Sequence, residues 1–185
     1  DPNILILGFW LSIFTGGNRF SHTDWLRYDA TLQSIFELEK LPSSSTYNRF
    51  FYKFDIEKNS EVFPLLQQWF LDQFKVGKIT LDLDSTVITR YGDQEGSVVG
   101  YNPKKRGRKS HHPLMAFIDQ TKMVANAWLR AGNTADTNNY EAFLEETFDI
   151  VLKNKSVGLV RADSGFYSDS FLSWFEQRNL NYVIA

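Results

Sequence analysis

Two short apolar stretches, Ile79-Thr80-Leu81-Asp82-Leu83 and Leu159-Val160-Arg161-Ala162, each deliver an aspartate just before hydroxyl or turn-forming residues: Asp84-Ser85-Thr86 in the first, Asp163-Ser164-Gly165 in the second. Stretches of this length and character read as strands. An ionised carboxylate at the mouth of a buried strand is costly unless a cation or hydrogen bonds neutralise it. Two such carboxylates can converge on one divalent ion if their strands are neighbours in a sheet. Asp82 and Asp84 stand two apart, so on a strand they share one face while Leu81 and Leu83 take the other. Asp84 lies nearer the strand's end, where ligands of open α/β sheets bind. Oxygen donors suit Mg²⁺ or Mn²⁺ rather than zinc. Two carboxylates are too few to hold two ions, so a third acid or substrate phosphates would be needed.

The chain has 185 residues, 43% of them hydrophobic, which allows one good-sized core with a small satellite. It has no cysteine, which excludes disulfides and thiolate metal sites and fits a reducing cytoplasm. The longest apolar run, Ile4 to Phe14, is too short to span a bilayer and lacks a basic leader. A net charge of −2 argues against polyanion binding by bulk charge, yet Lys104-Lys105-Arg106-Gly107-Arg108-Lys109 is a dense basic run followed by His111 and His112. Pro103 and Gly107 make that run a loop. It would clamp phosphates, or it is a solvated surface loop. The missing initiator Met and a terminus at Tyr182-Val183-Ile184-Ala185, in the middle of a strand pattern, predict a piece of a longer chain.

Residues 1–77 read as helical. Ile4 to Thr15 forms an apolar helix stopped by Gly16-Gly17, and Ser21-His22-Thr23-Asp24 has capping-box spacing that opens a second. Tyr47, Phe50, Phe51 and Phe54 give a helix after Leu41-Pro42-Ser43, and Val62 to Phe70 gives another. The helix pair across 31–54 is either a DNA-reading helix-turn-helix or a packed bundle. Residues 78–185 read as a mixed α/β sheet. Strands are expected at Lys78–Leu83, Gly96–Tyr101, Leu114–Ile118, Met123–Leu129, Val157–Val160 and Tyr182 onward. Helices are expected after a cap at Asp136 or Thr137, and over Ser168–Gln177.

The stretches Leu81-Asp82-Leu83-Asp84-Ser85-Thr86, Gly92-Asp93-Gln94-Glu95-Gly96, Gly100-Tyr101-Asn102, His112-Pro113-Leu114, Leu129-Arg130-Ala131-Gly132-Asn133-Thr134 and Arg161-Ala162-Asp163-Ser164-Gly165-Phe166, in this order, resemble the DDE transposases of bacterial insertion sequences. That resemblance implies an α/β fold: an N-terminal helical region (1–77) that binds DNA ends, then a ribonuclease H-like mixed sheet with flanking helices (78–185), truncated in the fifth strand. It implies Asp84 and Asp163 as the first two catalytic acids and metal ligands. The third, a glutamate on a helix beyond the fifth strand, is not in this chain, and Glu176 precedes that strand. Two Mg²⁺ or Mn²⁺ ions would serve DNA strand cleavage and transfer in the complete enzyme. The DNA contacts would be Lys104, Lys105, Arg106, Arg108, Lys109 and His112. Partners would be double-stranded DNA, as transposon ends and target, and further copies of the chain on paired ends, in the bacterial cytoplasm on the nucleoid. Two alternatives stand beside this: a non-catalytic DNA-binding remnant or regulator, and a haloacid-dehalogenase-type phosphatase with Asp82 of the Asp82-Leu83-Asp84-Ser85-Thr86 motif as nucleophile.

Overall fold

The computed structural model describes the whole chain except residues 136, 137 and 154, and the side chain of residue 56. The expected cap at Asp136 or Thr137 therefore lies outside the described residues. Two compact units divide within a helix, Asp1–Phe63 and Pro64–Ala185.

The first unit is helical. Helix α1 (Pro2–Phe14) starts where the Asp1 carboxylate accepts from the Asn3 amide at 2.8 Å and has proline in its first turn, where no amide is needed. It stops at Gly16, whose φ of +88° suits glycine. The capping box at Ser21 does not form. A 3-10 turn over Phe20–His22 leads instead into a four-residue helix α2 (Thr23–Leu26), and Asp24 caps at a distance, accepting from the Ser44 amide at 3.0 Å. That bond starts α4 (Ser44–Phe51). Phe9, Phe20, Tyr47 and Phe51 form one aromatic cluster, with ring centroids 5.0–6.4 Å apart. Gly8 is required there because a Cβ would collide with the Tyr47 hydroxyl. Helix α3 (Ala30–Phe36) buries none of its residues, so it departs from the packed pair that the bundle reading expects. Helix α5 (Ile56–Asp72) carries Pro64 inside it and crosses from one unit to the other.

The second unit is built on a five-stranded mixed sheet. Its strands are β1 (Lys78–Ser85), β5 (Leu114–Ile118), β6 (Met123–Trp128), β7 (Ser156–Ala162) and β8 (Tyr182–Ile184), in the order β6-β5-β1-β7-β8. The β5 and β6 pairings are antiparallel, while β1, β7 and β8 run parallel. Helices α6 (Tyr140–Val151) and α7 (Asp169–Gln177) supply the crossovers that parallel strands need. Leu81, Leu83, Leu114, Ala116 and Val160 join Phe143, Leu144, Val151, Phe171 and Phe175 in the core. The alternate positions of β1, Thr80, Asp82 and Asp84, face the other way. A helical region followed by a mixed sheet is thus what forms.

One expected strand is placed differently. Gly96–Tyr101 contributes only β3 (Val98–Val99), which joins β2 (Ile88–Thr89) and β4 (Lys109–His111) in a small sheet of order β2-β4-β3. This small sheet continues the β1–β5 hairpin without a change of register. Ser85 lies opposite Leu114, Ile88 opposite His111 and Thr89 opposite Ser110, with the Thr86 amide bonded to the Pro113 carbonyl and the Arg90 amide to that of Lys109. The result is one antiparallel ribbon running past the end of the main sheet. Gly100 and Gly132 pack where a Cβ would meet backbone, of the 132–133 segment for the one and of Ser110 and Val98 for the other. That close approach ties the ribbon to the loop following β6.

Candidate active site

The parallel register places Asp82 beside Arg161 and Leu83 beside Ala162. Asp84 and Asp163 each follow that last paired rung by one residue. Both are exposed. Asp163 keeps an extended backbone (φ −79°, ψ 171°) and one carboxylate oxygen accepts from the Gly165 amide at 3.0 Å. The Asp84 side chain makes no hydrogen bond or ion pair among the described residues. The two aspartates that the sequence singled out therefore lie at the C-terminal ends of neighbouring parallel strands, with no protein cation on them among the described residues.

The third aspartate of the pattern has a different fate. Asp82 takes the Arg161 guanidinium in a two-pronged bond, 2.6 Å from Nε and 2.7 Å from Nη2. Arg161 Nη2 also lies 2.9 Å from Asp119, just past the end of β5, and Lys122 pairs with Asp119 as well. These two cations, Lys122 first, hold the Asp119 carboxyl below the ordinary aspartate range. Each oxygen of Asp82, the nucleophile of the phosphatase reading, thus accepts one bond from Arg161.

Behind Asp84, Ser85 bonds to His112: Oγ lies 3.2 Å from the ring Nε2, while the ring Nδ1 donates to the Thr134 carbonyl at 2.7 Å. His112 is buried. Its backbone carbonyl accepts from Nε of the buried Arg130, whose Nη1 reaches the carbonyls of Ala135 and Asn138. The loop after β6 is thereby fastened to the strand end that carries Asp84. His112, Gly132, Thr134, Gly165 and Tyr101 line a cleft of about 280 Å³ beside Asp163. Sequence reading gave Arg130 no role of its own; a buried arginine bonded to carbonyls has no local sequence signal.

The basic run forms the tip of the ribbon, as a loop up to Arg108, with Lys109 already in β4. Lys105 and Arg108 lie 5.8 and 5.7 Å from the centre of the Tyr91 ring. Lys109 pairs with Asp93 and depresses its pKa. Lys104 and Arg106 have no carboxylate partner among the described residues. Lys109 is level with Arg90, six residues past Asp84, so the tip begins about 20 Å from the carboxylates along the ribbon.

The donor set fits a hard divalent ion in part: two carboxylates with free oxygens at one strand end, and no sulfur or free imidazole. Among the described residues, no three His, Asp or Glu side chains are placed to hold a metal. No described helix is long and apolar enough to cross a membrane.

Comparison with known proteins agrees with this fold. The family described as Transposase DDE domain group 1 matches residues 2–185, so the chain belongs to that family. No curated protein sequence matches it significantly. Among solved structures, the piggyBac transposase synaptic complex with hairpin DNA superposes with a TM-score of 0.54 at 16% identity, over 98% of this chain and 40% of that one. The Mos1 transposase paired-end complex with left transposon end gives 0.42 at 9% identity, over 96% and 57%. The Drosophila P element transposase strand transfer complex gives 0.40 at 11%, over 83% and 34%. The chain thus spans about two-fifths of the piggyBac protein it matches.

Proposed function

We propose that this chain forms the ribonuclease H-like part of a transposase, whose complete form cuts and joins DNA strands with divalent metal. The observation that carries the reading is that Asp84 and Asp163 each follow the last paired rung of the parallel strands, Leu83 with Ala162, by one residue, both exposed and without a cation among the described residues. Asp84, whose side chain has no partner among the described residues, and Asp163, oriented by the Gly165 amide, would hold the metal. Bound Mg²⁺ or Mn²⁺ would supply activation of water or a 3′-hydroxyl and charge stabilisation at the scissile phosphate. The chain's own residues orient these carboxylates: His112 and Ser85 brace the end of β1, and the Asp163-Ser164-Gly165 turn aims the second acid. By the family resemblance, a glutamate would be the third acid of the site.

DNA is the proposed partner, engaged as transposon ends and target by paired copies of the protein in the bacterial cytoplasm. Lys104, Lys105, Arg106, Arg108 and Lys109 would track phosphates. His112, with both ring nitrogens bonded, would support the site from beneath the DNA. The helical unit would contribute to end binding.

Mn²⁺ titration followed by electron paramagnetic resonance tests the site. Asp84→Ala and Asp163→Ala are each expected to weaken binding at least tenfold and to abolish cleavage by the longer protein. Unchanged binding and cleavage in both variants would refute the assignment.

A further inference from the structure

The cations of the ribbon tip are presented in two ways. Lys105 and Arg108 turn back over the Tyr91 ring, 5.8 and 5.7 Å from its centre, and Lys109 pairs with Asp93. Between Lys105 and Arg108 stands Arg106, exposed and without a carboxylate partner among the described residues. We propose that Arg106 enters the minor groove of DNA and selects stretches rich in A·T pairs. The inference rests on the DNA reading above and adds to it a groove and a class of sequence.

Local geometry sets Arg106 apart from its neighbours. The Arg108 amide donates to the Lys105 carbonyl at 3.2 Å, which closes a four-residue turn, Lys105-Arg106-Gly107-Arg108. Gly107 has a φ of +73° and Arg106 does not have a positive φ, the pattern of a type II turn with glycine in third place. Gly107 adds no side chain, so Arg106 alone projects from the corner. The turn is anchored on both sides. The buried Asn102 side chain accepts from the Lys105 amide at 2.9 Å and donates to the Thr89 hydroxyl at 2.9 Å, while Tyr91 holds the side chains of Lys105 and Arg108. An arginine on an anchored turn has less freedom to lose on binding than one on a loose loop.

Width then picks the groove. The small sheet has three strands, about 10 Å between its outer axes, and with side chains it overfills a major groove about 12 Å wide. The minor groove is about 6 Å wide, enough for a turn corner made of one side chain and a glycine. Minor grooves narrowed by A·T runs carry the more negative potential and attract arginine. A guanidinium is also more weakly hydrated than an ammonium, so it sheds its water more readily. Lys104 and Lys105 precede the corner, and Arg108 and Lys109 follow it, so the phosphate rows on either side of the groove would each face two cations.

Fluorescence anisotropy of the 185-residue chain on three short labelled duplexes tests the idea. They differ only in a central run of A·T, I·C or G·C pairs. Inosine lacks the 2-amino group, so I·C keeps the minor-groove face of A·T and shows the major-groove face of G·C. The parent is expected to bind the A·T and I·C duplexes alike and the G·C duplex about five- to tenfold more weakly. Arg106→Ala should bind all three alike. Arg106→Lys keeps the charge and should lose most of the preference. Lys104→Ala should weaken all three by a common factor and leave the preference in place. Both side chains are exposed, so these variants are expected to fold.

A parent that binds the three duplexes alike would overturn the proposal. So would I·C bound like G·C, which marks reading from the major groove, or a preference that survives Arg106→Ala. In each of those cases binding itself is intact and the DNA reading stands. If the parent binds no duplex even at low salt, the DNA reading fails and the proposal falls with it.

Discussion

Asp82 and Asp84 differ by two positions in sequence and by their whole surroundings in space. Both sit on one face of β1, but only Asp82 is opposite Arg161. Neighbouring strands, which no local pattern encodes, decide that one is ion-paired and the other an exposed carboxylate without a partner among the described residues. The glycines of the ribbon show a similar division of causes. Gly132 cannot accept a side chain because its Cβ direction points into the Ser110 and Val98 backbone, whereas Gly107 has open space but a φ of +73°. Gly132→Ala is therefore expected to lower unfolding free energy by about 1–3 kcal/mol through overpacking. Gly107→Ala should cost about 1–2 kcal/mol through backbone strain. Urea denaturation of both variants checks the order.

At the scale of elements, the ribbon holds the two proposed sites apart along its length. Its base carries Asp84, and its tip carries cations about 20 Å away. On B-form DNA that offset corresponds to about six base pairs. Hydroxyl-radical footprinting of a bound end should show protection from the tip about that far from the position cut at the carboxylates. Replacing Lys104 and Arg106, the two tip cations without carboxylate partners, by alanine should reduce the slope of log affinity against log salt by about 2. An unchanged slope would leave the tip as a solvated loop. The core beneath is less forgiving. Phe143→Ala on α6 removes a ring that packs edge-on to Trp128 at 5.4 Å and should cost about 3–5 kcal/mol, read as a fall in thermal midpoint.

Across the whole molecule, each unit carries aspartates held below the ordinary value of 3.8. In the helical unit, hydrogen bonds from Ser44 lower Asp24. In the sheet unit, Lys109 lowers Asp93, and Lys122 with Arg161 lowers Asp119. A carboxyl depressed by folding stabilises the native state above its unfolded value, and that contribution is lost as pH falls through the folded one. Both units should therefore lose stability on acidification from about pH 5 to about pH 2, and Asp24→Asn or Asp93→Asn should flatten the fall in its own unit. Urea midpoints across that range test the sign. The helical unit has a further anchor in Tyr47, whose burial pushes its hydroxyl up to about 12. Tyr47→Phe should fold well, since the hydroxyl has no hydrogen-bond partner among the described residues, while Tyr47→Ala opens the aromatic cluster.

Much was legible in the chain itself. Period-two alternation in 79–84 gave β1 and its two faces, 3.6-residue spacing gave α4 and α5, and the Pro103 and Gly107 pair gave the basic loop, because these are consequences of backbone geometry within a few residues. The order of residues also sufficed to pick Asp84 and Asp163 as strand-end acids. What required tertiary structure were the partnerships. Ser21 did not cap its own helix, because Asp24 was committed to the Ser44 amide twenty residues away. Val98 and Val99 entered a second sheet, because the β1–β5 hairpin runs on past the first. Arg161 chose between Asp82 and Asp84 through a parallel register that only the packed sheet sets. Periodicity fixes which way a side chain points; long-range pairing fixes what it meets, and charge chemistry depends on the second.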